Sequence, residues 1–367
     1  METSHQIFLK NSNDMCEVVP NTVDLIITSP PYPMIEMWDS LFSSINEDIR
    51  EALQVQDQNG QKAFLLMHDE LDKIWKETVR ILKSGGIICI NIGDATRKIN
   101  KSFQLFPNHV KITNFFLKNG FIALPCILWR KPTNSPTKFL GSGMLPPNAY
   151  VTLEHEYILI FRKGNNKRNI PPKMKQRYYS AYFWEERNSW FSDVWTDIRG
   201  TSQKLTYSNG KQIKLRERSA AFPLKLPYRL INMFSIYGDT ILDPFWGTGT
   251  TSLAAMVSAR SSIGYEINPE FMELFKRNVR KIKKLTKSIN ISRISQHIEF
   301  IKKYKKDRRK VNYNSINYKF PVITQQEKNI LLYSIRNYNE KGNRYIVNHE
   351  KFEYDHKEKR VQSRLIS

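Results

Sequence analysis

The stretch Ile241–Thr251 (ILDPFWGTGTT) constrains the fold of this chain more than any other segment. The apolar residues before Asp243 predict the end of a buried strand, and Pro244 terminates that strand because proline cannot donate a backbone hydrogen bond. Gly247 and Gly249 permit a tight turn whose backbone approaches a ligand closely. The segment therefore predicts a ligand-binding turn at the end of a buried strand.

A helix and a second strand follow the glycine turn. We expect Thr250 and Thr251 to cap a helix over residues 252–258, and a strand over residues 262–265 to end at Glu266. An acidic residue about 20 positions after such a turn binds ribose hydroxyls in nucleotide-binding β–α–β units. Because the G-x-G-x-x-G spacing is absent, the unit favours a cofactor with one nucleoside and no pyrophosphate over a dinucleotide.

A second motif lies near the start of the chain, where the predicted strand Val23–Thr28 runs into Ser29, Pro30, Pro31 and Tyr32. The two prolines remove backbone donors and fix φ, so the carbonyls of this turn are free to act as acceptors. A hydroxyl precedes the prolines and an aromatic ring follows them. This arrangement suits a planar base with an exocyclic amine, since it offers acceptors for the amine hydrogens and a ring face for the base.

Ser-Pro-Pro-Tyr followed much later by Asp-Pro-Phe-x-Gly-x-Gly-Thr-Thr resembles the amino-group DNA methyltransferases that use S-adenosylmethionine. With the catalytic motif first, the order is that of their permuted beta class, and the resemblance covers about residues 5–285. It implies an α/β, Rossmann-like, mostly parallel sheet in circularly permuted order. The implied divisions are a catalytic half (5–130), an inserted target-recognition region (131–217), a cofactor-binding half (218–287) and a basic C-terminal extension (288–367).

The same resemblance implies the roles of individual residues. The Ser29 hydroxyl and the Pro30 carbonyl would accept the amine hydrogens, and Tyr32 would stack on a target base flipped out of the duplex. The segment that begins at Ser219 resembles the one that packs over the methionine end of the cofactor. The implied catalytic residues are Ser29, Pro30, Pro31 and Tyr32, and the implied cofactor-binding residues are Asp243, Pro244, Phe245, Gly247, Gly249, Thr250, Glu266, Ser219, Phe222 and Pro223.

Ser29 stands where many members of the resembling family carry aspartate, and this favours methylation of cytosine N4 over adenine N6. The N6 alternative stays open, as do an RNA methyltransferase and a nucleic-acid-binding protein without catalysis. Carbon-5 methylation requires a cysteine nucleophile after proline. Pro125-Cys126 has this order, but it lies in an apolar strand and is interpreted as core. His155 lies between two glutamates with no cysteine or second histidine nearby, so no metal is expected.

The net charge of +22 predicts a polyanionic partner, and the resemblance implies that this partner is double-stranded DNA. Residues 271–367 carry 25 Lys and Arg against 9 Asp and Glu, which suits non-specific phosphate contacts. Three scattered cysteines predict no disulfides and a reducing cytoplasm. No apolar run is long enough to cross a membrane, so no membrane partner is expected. The resemblance also implies a cognate restriction endonuclease that shares the site without being bound, and a monomer or homodimer.

Hydrophobic periodicity predicts the remaining elements. The most specific expectation is that the strand His5–Lys10 pairs beside the strand ending at Glu266. The basic and aromatic segment 162–218 is interpreted both as a small core and as a region that reads DNA. The other predicted strands are 87–92, 121–129 and 152–161, and the other predicted helices are 13–18, 69–82, 107–118, 219–237, 270–285 and 320–336.

Overall fold

The computed structural model describes residues 1–54, 60–99, 102–131, 140–200, 222–307 and 310–355. The strands are β1 (Glu2–Phe8), β2 (Val23–Thr28), β3 (Leu82–Ile92), β4 (Ala95–Ile99), β5 (Ser102–Phe106), β6 (Phe121–Arg130), β7 (Leu140–Gly141), β8 (Ala149–Tyr150), β9 (His155–Lys163), β10 (Val194–Trp195), β11 (Thr240–Asp243), β12 (Ser261–Tyr265), β13 (Tyr313–Asn314), β14 (Pro321–Val322), β15 (Tyr333–Lys341) and β16 (Arg344–Lys351). The α-helices are α1 (Asp39–Ile45), α2 (Glu47–Gln54), α3 (Gln61–Ile81), α4 (Asn108–Lys118), α5 (Lys175–Tyr179), α6 (Trp184–Trp190), α7 (Lys225–Phe234), α8 (Thr250–Val257), α9 (Glu270–Val279) and α10 (Ile282–Lys306).

A ten-stranded sheet in the order β10-β6-β9-β3-β2-β11-β12-β1-β16-β15 organises the described chain. Its centre, from β3 to β1, is parallel, while β9 and β16 pair antiparallel at the two sides of this parallel group. His5 lies opposite Ser262 and Phe8 lies opposite Tyr265. The predicted pairing of the N-terminal strand beside the strand ending at Glu266 is therefore confirmed, and so is the α/β sheet in permuted order.

Helices cover both faces of the sheet, which explains why β2 is buried along its whole length. Leu25 and Ile27 pack into one apolar cluster with helices α7, α8 and α9. Ile26 points to the opposite face and packs into a second cluster with α3. The two faces alternate because successive side chains of a strand point in opposite directions.

Residues after 287 are built into the fold to a large extent. Helix α10 crosses the predicted division at 287/288, and the β15–β16 hairpin adds to the sheet beside β1. The predicted helix over residues 320–336 is wrong, because this segment contains β14, a 3₁₀ turn and the start of β15. Every second residue of β16 from Tyr345 to His349 is buried, as expected for a strand that packs one face against the core.

The predicted short helix over residues 13–18 is also wrong, since the segment consists of turns. The Arg80 guanidinium explains this difference. It donates to the carbonyl oxygens of Met15 and Val18, each at 2.9 Å, and these carbonyls therefore have a tertiary partner in place of helical hydrogen bonds. The predicted helix over residues 270–285 is divided into α9 and the start of α10.

The predicted insert 131–217 contributes two strands, β9 and β10, to the central sheet. Its aromatic residues Phe183, Trp190 and Trp195 are buried, which fits the interpretation as core. Ser180 accepts a hydrogen bond from the backbone of Tyr237, just before β11 begins. The part of the segment around Ser180 therefore packs at the edge of the sheet where the parallel strands start. Trp195 of β10 instead pairs with Trp129 near the carboxyl end of β6, where Trp129 also pairs with Glu156.

Candidate active site

The two sequence motifs meet because β2 and β11 are neighbours and run parallel. Leu25 pairs with Ile241 and Ile26 pairs with Leu242, so both strands end at the same edge of the sheet. At that edge Thr28 donates a hydrogen bond to Asp243 over 2.7 Å. Open α/β sheets bind ligands outside the carboxyl ends of their strands, which is where this contact lies.

A cavity of about 430 Å³ opens between the two motifs. Ser29, Pro30 and Pro31 contribute to its lining from the catalytic turn. The residues of the cofactor motif that line it are Asp243, Pro244, Phe245, Trp246, Gly247, Thr248 and Thr250, and Phe222 and Glu266 also line it. Gly249 and Pro223, which the sequence included in the cofactor set, are not among the lining residues, and Ser219 lies outside the described residues.

Asp243 ties the catalytic strand, the glycine turn and helix α8 together. Its carboxylate accepts hydrogen bonds from the hydroxyls of Thr28 and Thr251 and from the backbone N–H of Phe245. Burial raises the pKa of Asp243 to about 6, although the hydroxyls of Thr251 and Thr28 and the Phe245 N–H act in the opposite direction. The expectation that Thr250 and Thr251 cap the helix is wrong, because α8 begins at Thr250 and its N-cap is Gly249. The Thr251 hydroxyl donates to the Asp243 carboxylate over 2.6 Å.

Two glycines let the backbone approach aromatic rings that hold the turn. Gly249 is left-handed, with φ of 75°, and an added Cβ there would lie 2.4 Å from the ring of Phe275. An added Cβ at Gly264 would lie 2.1 Å from the indole of Trp246. That indole donates to the Ser252 hydroxyl at 2.8 Å, so the turn is fixed by packing and by a hydrogen bond.

Glu266 follows β12 and holds the other side of the turn. One carboxylate oxygen accepts from the N–H of Gly247 at 2.7 Å and the other accepts from the N–H of Asn268 at 2.8 Å. A carboxylate has about four lone-pair sites, so Glu266 keeps acceptor capacity for a ligand hydroxyl. Burial raises the pKa of Glu266, with the backbone N–H donors acting in the opposite direction.

Tyr32 is 4% exposed and does not line the cavity, and its hydroxyl lies in a buried polar cluster. Asn91 donates to this hydroxyl at 2.8 Å, the hydroxyl donates to Glu156 at 3.0 Å, and the Ser29 hydroxyl lies 3.2 Å away. Burial, followed by the negative charge of Glu156, raises the pKa of Tyr32 well above its ordinary value. Lys131 forms an ion pair with the second oxygen of Glu156.

Comparison with known proteins shows which family this chain belongs to. A family model described as DNA methylase, which covers N6 and N4 methylases, matches residues 23–277. The chain belongs to this DNA methylase family. The type II methyltransferase M.MthZI of Methanothermobacter thermautotrophicus is 50% identical over 370 residues, covering 100% of this chain and 99% of the relative. M.MjaI of Methanocaldococcus jannaschii is 48% identical, over 80% of this chain and 97% of the relative.

Solved structures agree with the fold of this DNA methylase. Protein TTHA0409 of Thermus thermophilus, crystallised with S-adenosyl-L-methionine, is 30% identical with a TM-score of 0.58, and the match covers 76% of this chain and 95% of that one. The cytosine-N4-specific PvuII DNA methyltransferase is 17% identical with a TM-score of 0.51, covering 78% of this chain and 93% of that one, and this likeness shows the fold alone.

Sequence patterns missed several residues of the site. Asn91 and Glu156 lie in strands on one side of β2, but a single polar residue in a strand gives no local signal of its tertiary partners. Most of the other residues of the cavity wall come from three segments to which the sequence patterns assigned no definite contacts. They are Lys10 to Asn13, the region of Met37 to Ile45, and Glu70, Leu71 and Ile74 of α3.

Within the residues that the structure describes, one cluster has the spacing of a metal site: Glu185, His297 and Glu327. Both ring nitrogens of His297 are already engaged, one with Glu185 and the other with the carbonyl oxygen of Pro321. Burial lowers the pKa of His297, but the hydrogen bond and charge of Glu185 outweigh it and raise that pKa. Because both ring nitrogens have hydrogen-bonding partners in the protein, neither is free to bind a metal, and the cluster is a hydrogen-bonded contact between α6 and α10.

The described residues of this DNA methylase also bear on the carbon-5 hypothesis and on membrane insertion. Cys126 lies in β6, half-buried and packed against the apolar cluster of α3 and α4, and it does not line the cavity. Its position therefore agrees with the interpretation as a core residue. No helix in the described ranges combines the length and the apolar character needed to span a membrane.

Proposed function

We propose that this DNA methylase is a beta-class, type II DNA methyltransferase that methylates the N4 amine of cytosine at a specific site in double-stranded DNA. The observation that carries the proposal is that Ser29, Pro30 and Pro31 line the same cavity as Glu266. The cofactor is S-adenosylmethionine, as the sequence predicted. It supplies a methyl group on a positively charged sulfur, a strong electrophile that needs correct positioning above all.

The residues around the cavity fit this cofactor. The Glu266 carboxylate keeps acceptor capacity beside its backbone donors, which suits the hydroxyls of a ribose. The Phe245 ring and the Ile267 side chain add apolar wall beside it, as a flat adenine requires. Phe222 lines the same cavity, in agreement with the predicted segment over the methionine end. Asp243 acts mainly by fixing the turn, since three donors already engage its carboxylate.

In this proposal the catalytic turn acts on the target amine. The lone pair of an aromatic amine is delocalised into its ring, which makes it a weak nucleophile. The Ser29 oxygen and the Pro30 carbonyl accept the amine hydrogens and thereby stabilise the positive charge that develops on nitrogen. Pro31 keeps the turn rigid, and Tyr32 supports the turn through its hydroxyl contacts with Ser29 and Glu156. Stacking of Tyr32 on the flipped base stays a prediction, and it requires the buried ring to become accessible.

Cytosine is favoured over adenine because position 29 carries a neutral hydroxyl where aspartate would add a negative charge. This argument rests on the family pattern of the Ser-Pro-Pro-Tyr motif. Methylation of adenine N6 is the second candidate, since the same turn also suits an exocyclic amine on a purine.

The DNA-facing surface is expected at the catalytic edge, within the predicted target-recognition region. The β7–β8 hairpin and the residue after it carry Met144, Leu145 and Val151, which are 82%, 70% and 85% exposed. Tyr150 of this hairpin stacks on Phe103 of the β4–β5 hairpin, with ring centroids 4.6 Å apart. Exposed apolar side chains beside a base-flipping pocket can fill the gap that the flipped base leaves in the duplex.

The names of the two archaeal relatives place them in type II systems. We infer the same setting here, in which methylation protects host DNA from a restriction endonuclease that reads the same site without binding this protein. The protein is expected to act as a monomer or a homodimer.

Incubation with tritiated S-adenosylmethionine and either duplex DNA or RNA tests the proposal, followed by mass spectrometry of the digested nucleosides. We expect label in DNA as N4-methyldeoxycytidine. N6-methyldeoxyadenosine would establish the second candidate, label in RNA alone would refute the DNA substrate, and an absence of label with intact cofactor binding would indicate a binding protein. Sequencing of the modified DNA then gives the recognition site.

A further inference from the structure

The polar cluster around Tyr32 is assembled by three adjacent strands. Tyr32 follows β2, Asn91 lies in β3 and Glu156 lies in β9, and these strands are consecutive neighbours in the sheet. The cluster is buried, with Tyr32 and Asn91 4% and 2% exposed. Hydrogen bonds inside such a site are strong and their directions are well defined, because water does not compete for them.

The directions of these hydrogen bonds follow from a count of protons. The Asn91 amide nitrogen lies 2.7 Å from the Glu156 carboxylate, so it must face that carboxylate and also donates to the Tyr32 oxygen at 2.8 Å. Reversing the amide would place an oxygen against an oxygen. The Glu156 carboxylate is paired with Lys131 and can only accept, so it takes the single hydroxyl proton of Tyr32.

This leaves the Tyr32 oxygen as an acceptor towards Ser29, at 3.2 Å. We propose that Glu156 is a positioning residue that fixes the direction of the hydrogen bond between Tyr32 and Ser29. The Ser29 hydroxyl then donates its proton to Tyr32 and keeps its oxygen lone pairs for the cavity, where an amine hydrogen needs an acceptor. This inference rests on the proposed function, and it adds Glu156, a residue outside the Ser-Pro-Pro-Tyr motif that acts on Ser29 through Tyr32.

Removal of the Glu156 acceptor reverses this arrangement. The Tyr32 proton would turn towards the Ser29 oxygen, and the Ser29 proton would turn towards the cavity. A donor would then face the amine hydrogens in place of an acceptor. The loss is expected in the methyl-transfer step, because the acceptor strengthens its interaction as charge develops on the amine.

The test is single-turnover methyl transfer with tritiated S-adenosylmethionine and genomic DNA from a host that lacks the enzyme. Glu156→Ala should lower the rate by about 10- to 100-fold, the range expected for one hydrogen bond to a developing charge, with unchanged affinity for cofactor and DNA. Glu156→Gln keeps an oxygen that can accept from Tyr32 and should restore most of the rate. If Glu156→Ala does not fold by its melting curve, Glu156→Leu replaces it, since leucine fills the space without an acceptor.

Glu154→Ala is the matched control. Glu154 forms an ion pair with Arg130 at 2.8 Å but has no hydrogen bond to Tyr32, and this variant should keep the wild-type rate. A rate for Glu154→Ala as low as that of Glu156→Ala would mean that loss of either carboxylate on this segment is responsible, and would overturn the inference.

Tyr32→Phe separates a positioning role from a structural one, because phenylalanine keeps the ring and has no proton to misdirect. In a Tyr32→Phe background, Glu156→Ala should cause no further loss. An equal fold-loss in both backgrounds would overturn the inference, as would a wild-type rate for Glu156→Ala. A wild-type enzyme that methylates no DNA would instead overturn the proposed function itself, and the inference with it.

Discussion

Replacing Glu266 with glutamine should weaken the binding of S-adenosylmethionine. In the native protein each carboxylate oxygen accepts one backbone N–H, from Gly247 at 2.7 Å and from Asn268 at 2.8 Å. Glutamine has one oxygen and one NH₂ group, so one of these backbone donors would face another donor. The substitution also removes an acceptor for one ribose hydroxyl.

The magnitude follows from the loss of one charged hydrogen bond, which is worth about 1.5–3 kcal/mol. At about 1.4 kcal/mol for each factor of ten, the dissociation constant should rise by roughly 10- to 150-fold. Part of this cost is expected in the turn itself, because the unpaired N–H of Gly247 or Asn268 would disturb the cavity wall.

Isothermal titration calorimetry of the folded variant with the cofactor measures the effect. Glu270→Gln is the control, since Glu270 begins α9 four residues later, is exposed and does not line the cavity, while its substitution removes the same charge. We expect the affinity of this control to equal that of the wild type. If Glu266→Gln bound the cofactor within about twofold of the wild type, the assignment of this cavity to the ribose would be refuted.

Ser29→Ala should lower the single-turnover rate constant of methyl transfer by about 100- to 1,000-fold with little change in cofactor affinity. An unchanged rate constant would leave the Pro30 carbonyl as the main acceptor. Lys302 and Lys305 are exposed near the end of α10. Their replacement by glutamine should reduce the slope of log K for DNA binding against log salt concentration by about 0.9 for each phosphate that is no longer neutralised. An unchanged slope would mean that DNA does not contact these lysines. Burial lowers the pKa of His5 to about 3 and of His349 to about 4, so the unfolded chain binds more protons and stability should be lost as the pH falls from 6.5 through these values. Urea titrations at several pH values measure the free energy of unfolding, and His349→Gln should make it less dependent on pH in this range. An equal loss of stability in the variant would contradict the lowered pKa of His349.

Local sequence determined much of the methylase fold. The apolar run Leu25–Ile27 within β2 predicts burial on both faces, and the glycine turn after β11 permits a close backbone approach. The sequence alone therefore places both motifs at strand ends. Their meeting was also predictable, because the carboxyl ends of neighbouring parallel strands lie at one edge of a sheet. The pairing of β1 with β12 followed from the resemblance to a permuted family.

Other features depended on contacts between segments that are distant in the sequence. The β15–β16 hairpin is defined by pairing with β1, and its residues 333–336 were misassigned to a helix because short apolar stretches suit either structure. Threonine is a residue type that commonly caps helices, but the Thr251 hydroxyl donates its hydrogen bond to the Asp243 carboxylate, which is a strong acceptor.

Glu156 shows most clearly what the sequence alone does not predict. In the sequence it is one of two glutamates beside a histidine, and nothing local separates it from Glu154, whose side chain is the more exposed of the two. Only the order of β2, β3 and β9 in the sheet brings the Glu156 carboxylate to Tyr32. Burial then makes the direction of each hydrogen bond matter, because without water every proton must be shared among the side chains present. The sequence thus determined which groups can do the chemistry, and the tertiary structure decided how their protons are arranged.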